Sequence, residues 1–576
     1  MPQDGSITRQ PFRTRRMLFL VLLGCGSASL AGARQAANVQ SDSDVLHYIS
    51  GAWTSLTRSM SECKSLVDPK FSQRPVLYLP ADYAEPPALT ELQSRCSVDV
   101  EHLPAVIHHL GEVDVNKLRP GLLYLPNPYV VPGGMFNEMY GWDSYFIIRG
   151  LLQDGNITMA RNMVENFLFE IEHYGEILNS NRTYHLTRSQ PPFLTAMVRA
   201  VYEAEMAQGK QDRAWLEQAY PYAVRDYNFW VTAPHLAGTT GLSRYYAFGE
   251  GPAPELGPDT DTYFRGVAAY LLLHPSEADS ILVKAEGHAE AALATGPAFS
   301  VLVCDQGSET PSSAPTSSAS GCDKVKDVSL SRDFYKGDRS MRESGYDISF
   351  RFGPFGAFTH HYAAVDLNSL LYQAEADLSW MSRQLGHEQD AKDWDKKATE
   401  RRSKINQYCW NSSRGLYFDY DFEKGQQSSY EYATTFYPLW VGAASPEQAK
   451  AVEKNFSLFD RPGGIDTSPY TTGAQWDNPY GWAPVQLIAG EGLRLYGDEK
   501  DAALLSQQFL STVAENFRRD GTIREKYNVV TRSSETQVNV GYSQNQIGFG
   551  WTNGAYLVLR HELLTGADEA PQNSPH

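Results

Sequence analysis

The 576-residue sequence contains no HExxH and no CxxC, so the common spacings for zinc are missing. It has no Gly-x-Ser-x-Gly elbow, which excludes the usual serine-hydrolase nucleophile. Nowhere do glycine amides at a helix start meet clustered cations, as a phosphate site requires. No fixed period marks a solenoid. Beyond the first forty residues, no run is apolar enough to span a bilayer. Positive charge is also scarce: 50 Lys and Arg face 68 Asp and Glu, a net charge of -18. That balance argues against nucleic acid and anionic membranes and favours a neutral or cationic small ligand. No cofactor and no metal are expected. The fourteen histidines show no ligand spacing, and His360-His361 reads as a surface or helix-start pair.

Aromatic residues make up 12% and charged residues 20% of the chain, a globular composition. The start differs. Arg9, Arg13, Arg15 and Arg16 precede an apolar run from Met17 and then small residues, the pattern of an export signal. Ala31-Gly32-Ala33 offers a cleavage site, Thr14-Arg15-Arg16-Met17 fits a twin-arginine signal, and Leu22-Leu23-Gly24-Cys25 loosely fits a lipoprotein signal. The expectation is a periplasmic or secreted monomer, with lipid anchoring at Cys25 as the second choice. Five cysteines remain after cleavage. Cys304 and Cys322 flank a low-complexity Ser/Thr/Pro stretch that a bridge would tether. Cys63 and Cys96 are the other expected pair, which leaves Cys409 free.

From about Asp42 onward the dominant periodicity is helical. In 190–207, Phe193, Leu194, Met197, Val198, Val201 and Tyr202 share one face, behind prolines suited to a first helical turn. In 366–386, Leu367, Leu370, Leu371, Ala374, Leu378 and Met381 do the same before Gly386. Ser445 reads as a helix cap. Further patterns fall near 155–173, 213–230, 387–409, 484–496, 500–518 and 553–564, and short strands are expected at "RPVLYLP" and "GLLYLPNPYVVPGG". Many paired helices joined by long loops predict an all-α toroid whose loops build a site on one face.

Five of those loops combine aromatic rings with carboxylates, amides and arginines. They supply Glu138, Trp142 and Asp143; Asn179, Arg182, Arg188 and Gln190; Arg342, Glu343, Asp347 and Arg351; Trp476, Asp477 and Trp482; and Glu525, Trp551 and Asn553. A sugar has apolar C–H faces and a rim of hydroxyls. Tryptophan and tyrosine match the faces, and Asp, Asn, Gln and Arg match the rim. Each residue also has a plainer reading. Asp347 could pair with Arg342 or Arg351, Glu525 could form an exposed ion pair with Lys526 or Arg524, and Arg188 could be held by Glu172 or Asp143. The tryptophans could be core, and Glu138 and Asp477 could only orient their loops.

"PGGMFNEMYGWDSY" (132–145) and "QWDNPYGWAPVQ" (475–486) resemble the two signature segments of the trehalase family of glycoside hydrolases. "HYGEILNSNRTYHLTRSQPPFLT", "RESGYDISFRF", "DLNSLLY" and "YEYATTFYPLW" also resemble that family, especially its neutral, fungal-type members. The similarity runs in order from about 120 to 565. It implies an (α/α)6 toroid that hydrolyses α,α-trehalose with inversion and without a metal. It also implies Asp347 as general acid and Glu525 as general base, ~6.5–9.5 Å apart to admit a water. Trp142, Asp143, Asn179, Arg188, Ser189, Gln190, Glu255 and Gly345 would meet the substrate, and Trp142 and Trp476 would wall the cleft. The expected layout is a signal peptide over 1–33, a segment wrapping the barrel over 34–115, the catalytic toroid over 116–566, and a disordered tail over 567–576.

Three departures bear on selectivity. Met135 stands where the family has a substrate-contacting arginine. No acid occupies the lid-glutamate position near Gly541 and Tyr542, and "EKYN" replaces "EKYD". They support a rival reading, an inverting glycosidase acting on another glucoside or a mannoside. A non-catalytic sugar-binding protein is the second rival, which the presence of both carboxylates disfavours.

Overall fold

A computed structural model describes residues 30–67, 73–255, 260–284, 296–303, 324–541 and 544–569. Cys25, Cys304, Cys322 and Tyr542 lie outside the described residues, as do most of the expected signal segment and residues 570–576. The main helices are α1 (Leu30–Leu56), α2 (Gly141–Gln153), α3 (Ile157–Tyr174), α4 (Leu194–Ala207) and α5 (Arg213–Trp230). After them come α6 (Thr260–Leu273), α7 (Arg332–Glu343), α8 (Val365–Gln384), α9 (Glu388–Tyr408) and α10 (Tyr437–Trp440). The last four are α11 (Pro446–Lys454), α12 (Ala483–Leu495), α13 (Glu499–Asp520) and α14 (Gly550–Glu569).

Six of them close a ring in the order α2, α4, α8, α10, α12, α14 and back to α2. The helices α1, α3, α5, α9, α11 and α13 alternate with these along the chain, giving the (α/α)6 toroid. Burial separates the two layers. The inner helix α8 buries fifteen of its twenty residues. The outer helix α9 buries only Ala391, Trp394, Ala398, Arg401 and Ile405, a single stripe at helical spacing. The ring closes where α2 meets α14 almost backbone to backbone. A Cβ on Gly150 would lie 2.5 Å from Gly554 Cα, and one on Gly554 would lie 2.1 Å from Phe146 O.

Side-chain caps mark several helix starts. Asn156, Asp212, Ser331 and Asp498 each accept from a backbone N–H in the first turn, and Ser445 forms a capping box with Gln448. The expected prolines at the start of α4 instead precede it, since the helix begins at Leu194, after Pro191-Pro192. At the other end α14 runs through Glu569, three residues past the expected boundary at 566.

The segment before the toroid does more than wrap it. Helix α1 is one of the outer helices. Val45, Ile49, Trp53 and Leu56 are buried along it, and Asp42 forms a two-pronged ion pair with Arg560 of α14. Strands β1 (Val76–Leu79), β2 (Asp99–His102) and β3 (Leu122–Leu123) make a small parallel sheet in the order β2-β1-β3. All four residues of β1 are buried, so it shows no alternation in sequence. Cys63 and Cys96 form the expected disulfide, and Cys409 is free and buried.

Between α5 and α8 the chain builds a lobe that periodicity did not predict. Strands β4 (Leu282–Lys284), β5 (Phe299–Val303) and β6 (Lys324–Leu330) pair antiparallel in the order β4-β6-β5. Phe264, Leu271, Phe299, Leu330 and Phe334 pack into a separate apolar cluster there.

One ion cluster ties this lobe's exit to the ring. Arg351 follows the "GYD" loop and is buried. It donates to Asp419 Oδ2 at 2.7 Å and to Asp366 Oδ1, on the first turn of α8, at 2.6 Å. Its guanidinium also lies 4.5 Å from the Phe352 ring and 4.9 Å from the Tyr432 ring. Removing one partner of a buried pair strands the other charges. Arg351→Met should therefore cost about 3–5 kcal/mol of unfolding free energy; a loss below about 1 kcal/mol in urea titration would contradict that.

Candidate active site

The second signature segment (475–486) meets the Glu525 segment at a strand pair: β7 (Tyr480–Trp482) lies within the signature, and β8 (Lys526–Asn528) directly follows Glu525. They pair antiparallel, with Trp482 opposite Lys526. Upstream, Trp476 N donates to Ile348 O, and Gln475 Nε2 donates to Asp347 O. Gln475 Oε1 accepts from Lys526 Nζ at 3.2 Å, and that ammonium lies 3.4 Å from Glu525 Oε2. One glutamine thus links the backbone of the expected acid to the lysine beside the expected base. Both Gln475 and Lys526 are buried. Sequence reasoning took Lys526 only as a partner in an exposed ion pair.

Asp347 sits on the loop after α7. Its side chain keeps 32% of its surface exposed, and its nearest cation is Arg342, at 4.0 Å. Arg351 does not pair with it, because Asp366 and Asp419 hold Arg351. Burial pushes the Asp347 carboxyl up to about 7 against the opposing pull of Arg342 and Arg188, and Glu255 adds to the rise. Glu525 is 2% exposed, not a surface group. Its backbone is fixed from both sides: its N–H donates to Gln546 O, and its carbonyl accepts from Trp551 Nε1 at 3.0 Å.

Asp143 lies in the first turn of α2 and is buried. Desolvation, reinforced by the charges of Glu525 and Asp347, raises its carboxyl well above the usual range. The same field therefore contains all three carboxyls. Burial would raise Glu255 as well, but Arg188 at 2.7 Å and Arg342 at 3.9 Å outweigh it and hold that carboxyl well below the ordinary range. Arg188 is thus held by Glu255, not by Glu172 or Asp143. It also donates to His185 Nε2 at 2.9 Å. Burial and Arg188 keep His185 neutral, lowering it to about 3. Its remaining proton is then on Nδ1, donated to Ser180 Oγ at 2.7 Å.

Other expected contacts are structural in their present partners. Asn179 Nδ2 donates to Ser189 O and Arg342 O, Ser189 Oγ to Ile177 O, and Gln190 Oε1 accepts from Trp142 N. Gly345 has φ +78°, and a Cβ there would sit 2.8 Å from the Trp142 ring, so only glycine fits. Trp142 and Trp476 are each 2% exposed. They were expected to wall the cleft; instead they form part of a packed floor. Trp476 stacks on Trp482 at 3.9 Å and Trp142 packs against Tyr346 at 5.5 Å, because burying large rings outweighs leaving them open. Glu138 and Asp477 are buried and orient loops. Glu138 accepts from Arg182, and Asp477 from Tyr430, Ser468, Thr472 and the Phe350 N–H.

Helix α7 was missed. Its sequence, "RDFYKGDRSMRE", looks like a solvated charged helix, yet ten of its residues are buried. Lys336 donates to the carbonyls of Ala247 and Gly249, Arg339 to those of Glu250, Gly251 and Pro252, and Glu343 accepts from the N–H groups of Ser189 and Tyr246. In this way α7 shapes the 246–255 loop that carries Glu255.

A trehalase family profile matches residues 36–270 and 302–563. Cytosolic neutral trehalase of Kluyveromyces lactis is 34% identical over 88% of this chain and 69% of its own length. The Saccharomyces cerevisiae protein of the same name is 33% identical over 88% and 70%. The solved structure of neutral trehalase Nth1 from Saccharomyces cerevisiae superposes with a TM-score of 0.70 at 29% identity, covering 92% of this chain and 98% of that one. These names correct one expectation. Such relatives are called cytosolic, which overturns the periplasmic or secreted location read from the N-terminal residues.

The Gln475–Lys526 link generates a test. Losing a charged hydrogen bond of about 1.5–3 kcal/mol predicts that Lys526→Met lowers kcat roughly 10- to 150-fold with little change in KM. Lys526→Arg should restore part of that loss. Equal loss in both variants, or an effect confined to KM, would show that the ammonium does not act on Glu525.

Proposed function

Because this chain belongs to the trehalase family, it is a glycoside hydrolase that cleaves trehalose to glucose, and we propose that it does so with inversion, Asp347 acting as acid and Glu525 as base. The observation that carries this assignment is the contrast between the two carboxyls. Burial favours the proton on Asp347 against the pull of Arg342, which stands 4.0 Å away. Glu525 Oε2 stands 3.4 Å from the Lys526 ammonium, and both groups are buried.

In this reading Asp347 protonates the glycosidic oxygen while Glu525 takes a proton from water on the other side of the sugar. Arg188, Arg342 and Glu255 form a charged group for hydroxyls beside the acid. Asp143, kept protonated by burial, donates a hydrogen bond to the sugar. Asn179, Ser189, Gln190 and Gly345 hold these groups in place through the backbone. Met135 is 39% exposed and uncharged, which supports weaker trehalose binding or a broader choice of glucosides. Among the described residues no helix is long and apolar enough to cross a membrane. The naming of the relatives supports a cytoplasmic setting, and we place the active form as a monomer.

Asp347→Asn and Glu525→Gln should each lower kcat at least ~10³-fold, the scale of losing a main acid–base group. Circular dichroism should stay unchanged, and near-normal turnover in either variant would remove the assignment. The acid works only while protonated, so kcat/KM should fall as pH rises through about 7. A profile flat to pH 9 would place the acid elsewhere. Inversion predicts equal α- and β-glucose in the first minutes of trehalose cleavage by NMR; release of one anomer alone would reject it.

A further inference from the structure

The geometry points to a Zn²⁺ site formed by Asp333, His360 and His361, which would fasten the N-terminal end of α7 to the turn at Thr359–His361. The site is separate from the sugar chemistry. Asp333 and Arg342 lie nine residues apart on α7, about 14 Å along the axis. Adjacent histidines gave no ligand spacing in sequence, and the third ligand comes from a different element.

The three side chains converge on one point. Nε2 of His360 lies 2.9 Å and Nε2 of His361 3.4 Å from the same oxygen, Asp333 Oδ1. The three ligand atoms all fall within 4.8 Å of one another. A tetrahedral zinc with bonds of ~2.0–2.1 Å keeps its ligands ~3.4 Å apart, a spacing that the His361–Asp333 pair already has and the His360–Asp333 pair falls about 0.5 Å inside. All three residues line a cavity of about 380 Å³ whose wall also carries Glu250 and Glu423. Two imidazoles and a carboxylate suit Zn²⁺, whereas Mg²⁺ and Ca²⁺ prefer all-oxygen sets.

The ligands are also held in place. His360 is 5% exposed, and its backbone carbonyl accepts from Arg244 Nη1 at 2.9 Å. Ser331 caps α7 and so fixes the turn that carries Asp333. Of the three cations on the cavity wall, Arg244, Arg332 and Lys336, two are engaged elsewhere: Lys336 with two carbonyls and Glu250, and Arg244 with the carbonyls of Pro234 and His360. Binding is then an exchange. Zn²⁺ takes the Nε2 lone pairs in place of the protons now shared with Asp333, and each neutral imidazole carries its proton on Nδ1 instead.

The test uses the full chain without an affinity tag, stripped with EDTA and titrated with ZnCl2 by calorimetry, with Co²⁺ as a spectroscopic substitute. One Zn²⁺ per chain, visible Co²⁺ bands of four-coordinate intensity, and a Tm raised by Zn²⁺ are expected. His361→Ala and Asp333→Asn should each weaken binding at least 10-fold and abolish the Co²⁺ bands. Both residues are partly exposed, so these variants avoid the core disruption that His360→Ala invites. His387→Ala, at an exposed histidine outside the cluster, should bind like the parent. No binding below 100 µM would overturn the site, as would equal affinity in His361→Ala, Asp333→Asn and the parent, which would mean an adventitious ion only.

Discussion

Arg351 anchors the loop that carries Asp347, the proposed acid. It lies four residues after Asp347 and carries a charge that would hold that carboxylate ionised if the two met. Instead Asp366 and Asp419 hold it inside the ring wall, with aromatic rings around it. The same contacts anchor the loop that presents Asp347 to the first turn of α8. A buried ion cluster of this kind adds little net stability compared with apolar packing, but it is costly to break. Its value here is positional, since it withdraws one cation from the acid and fixes the loop.

The rest of the cleft follows from the competition between burial and nearby charge. Desolvation pushes the carboxyls of Asp143, Asp347 and Glu255 upward. Where two guanidiniums stand close, as at Glu255, they win. At Asp347, with Arg342 only at 4.0 Å, burial wins. Glu525, the proposed base, has a third arrangement, a lysine next to it in sequence and buried with it. Gln475 couples these two halves, because its amide donates to the Asp347 carbonyl and accepts from Lys526 beside Glu525. This explains why the "QWDNPYGW" segment joins so many costly residues: Gln475 bridges, Trp476 and Trp482 stack, Asp477 ties four donors, and the last strand pairs with the base strand.

Much of the toroid was legible because its amphipathic helices bury stripes that recur every three or four residues. Leu367, Leu370, Leu371, Ala374 and Leu378 announced α8, and the pattern over 387–409 announced α9. Helices α2 and α7 were not legible as helices, for opposite reasons. The first is buried nearly all round and was read as a loop motif. The second is buried but charged, its charges satisfied by carbonyls from a loop eighty to ninety positions away. The stretches "RPVLYLP" and "GLLYLPNPYVVPGG" were legible as strands and hold β1 and β3, whereas β2 and the β4-β6-β5 sheet were not legible. Of the site, the identities of Asp347 and Glu525 came from motif resemblance, whereas Lys526 looked like a surface ion pair, since sequence does not report depth.

By itself the sequence determined the helical periodicity, the capped helix starts and the ordered motifs that carry the carboxyls, because these depend on neighbours within a few residues. Only the tertiary structure decided which cation faces which carboxyl, that the tryptophans form a floor rather than an open wall, and that two adjacent histidines meet an aspartate from another element. Those outcomes depend on distance and dielectric between segments far apart in the chain, and local pattern does not encode either.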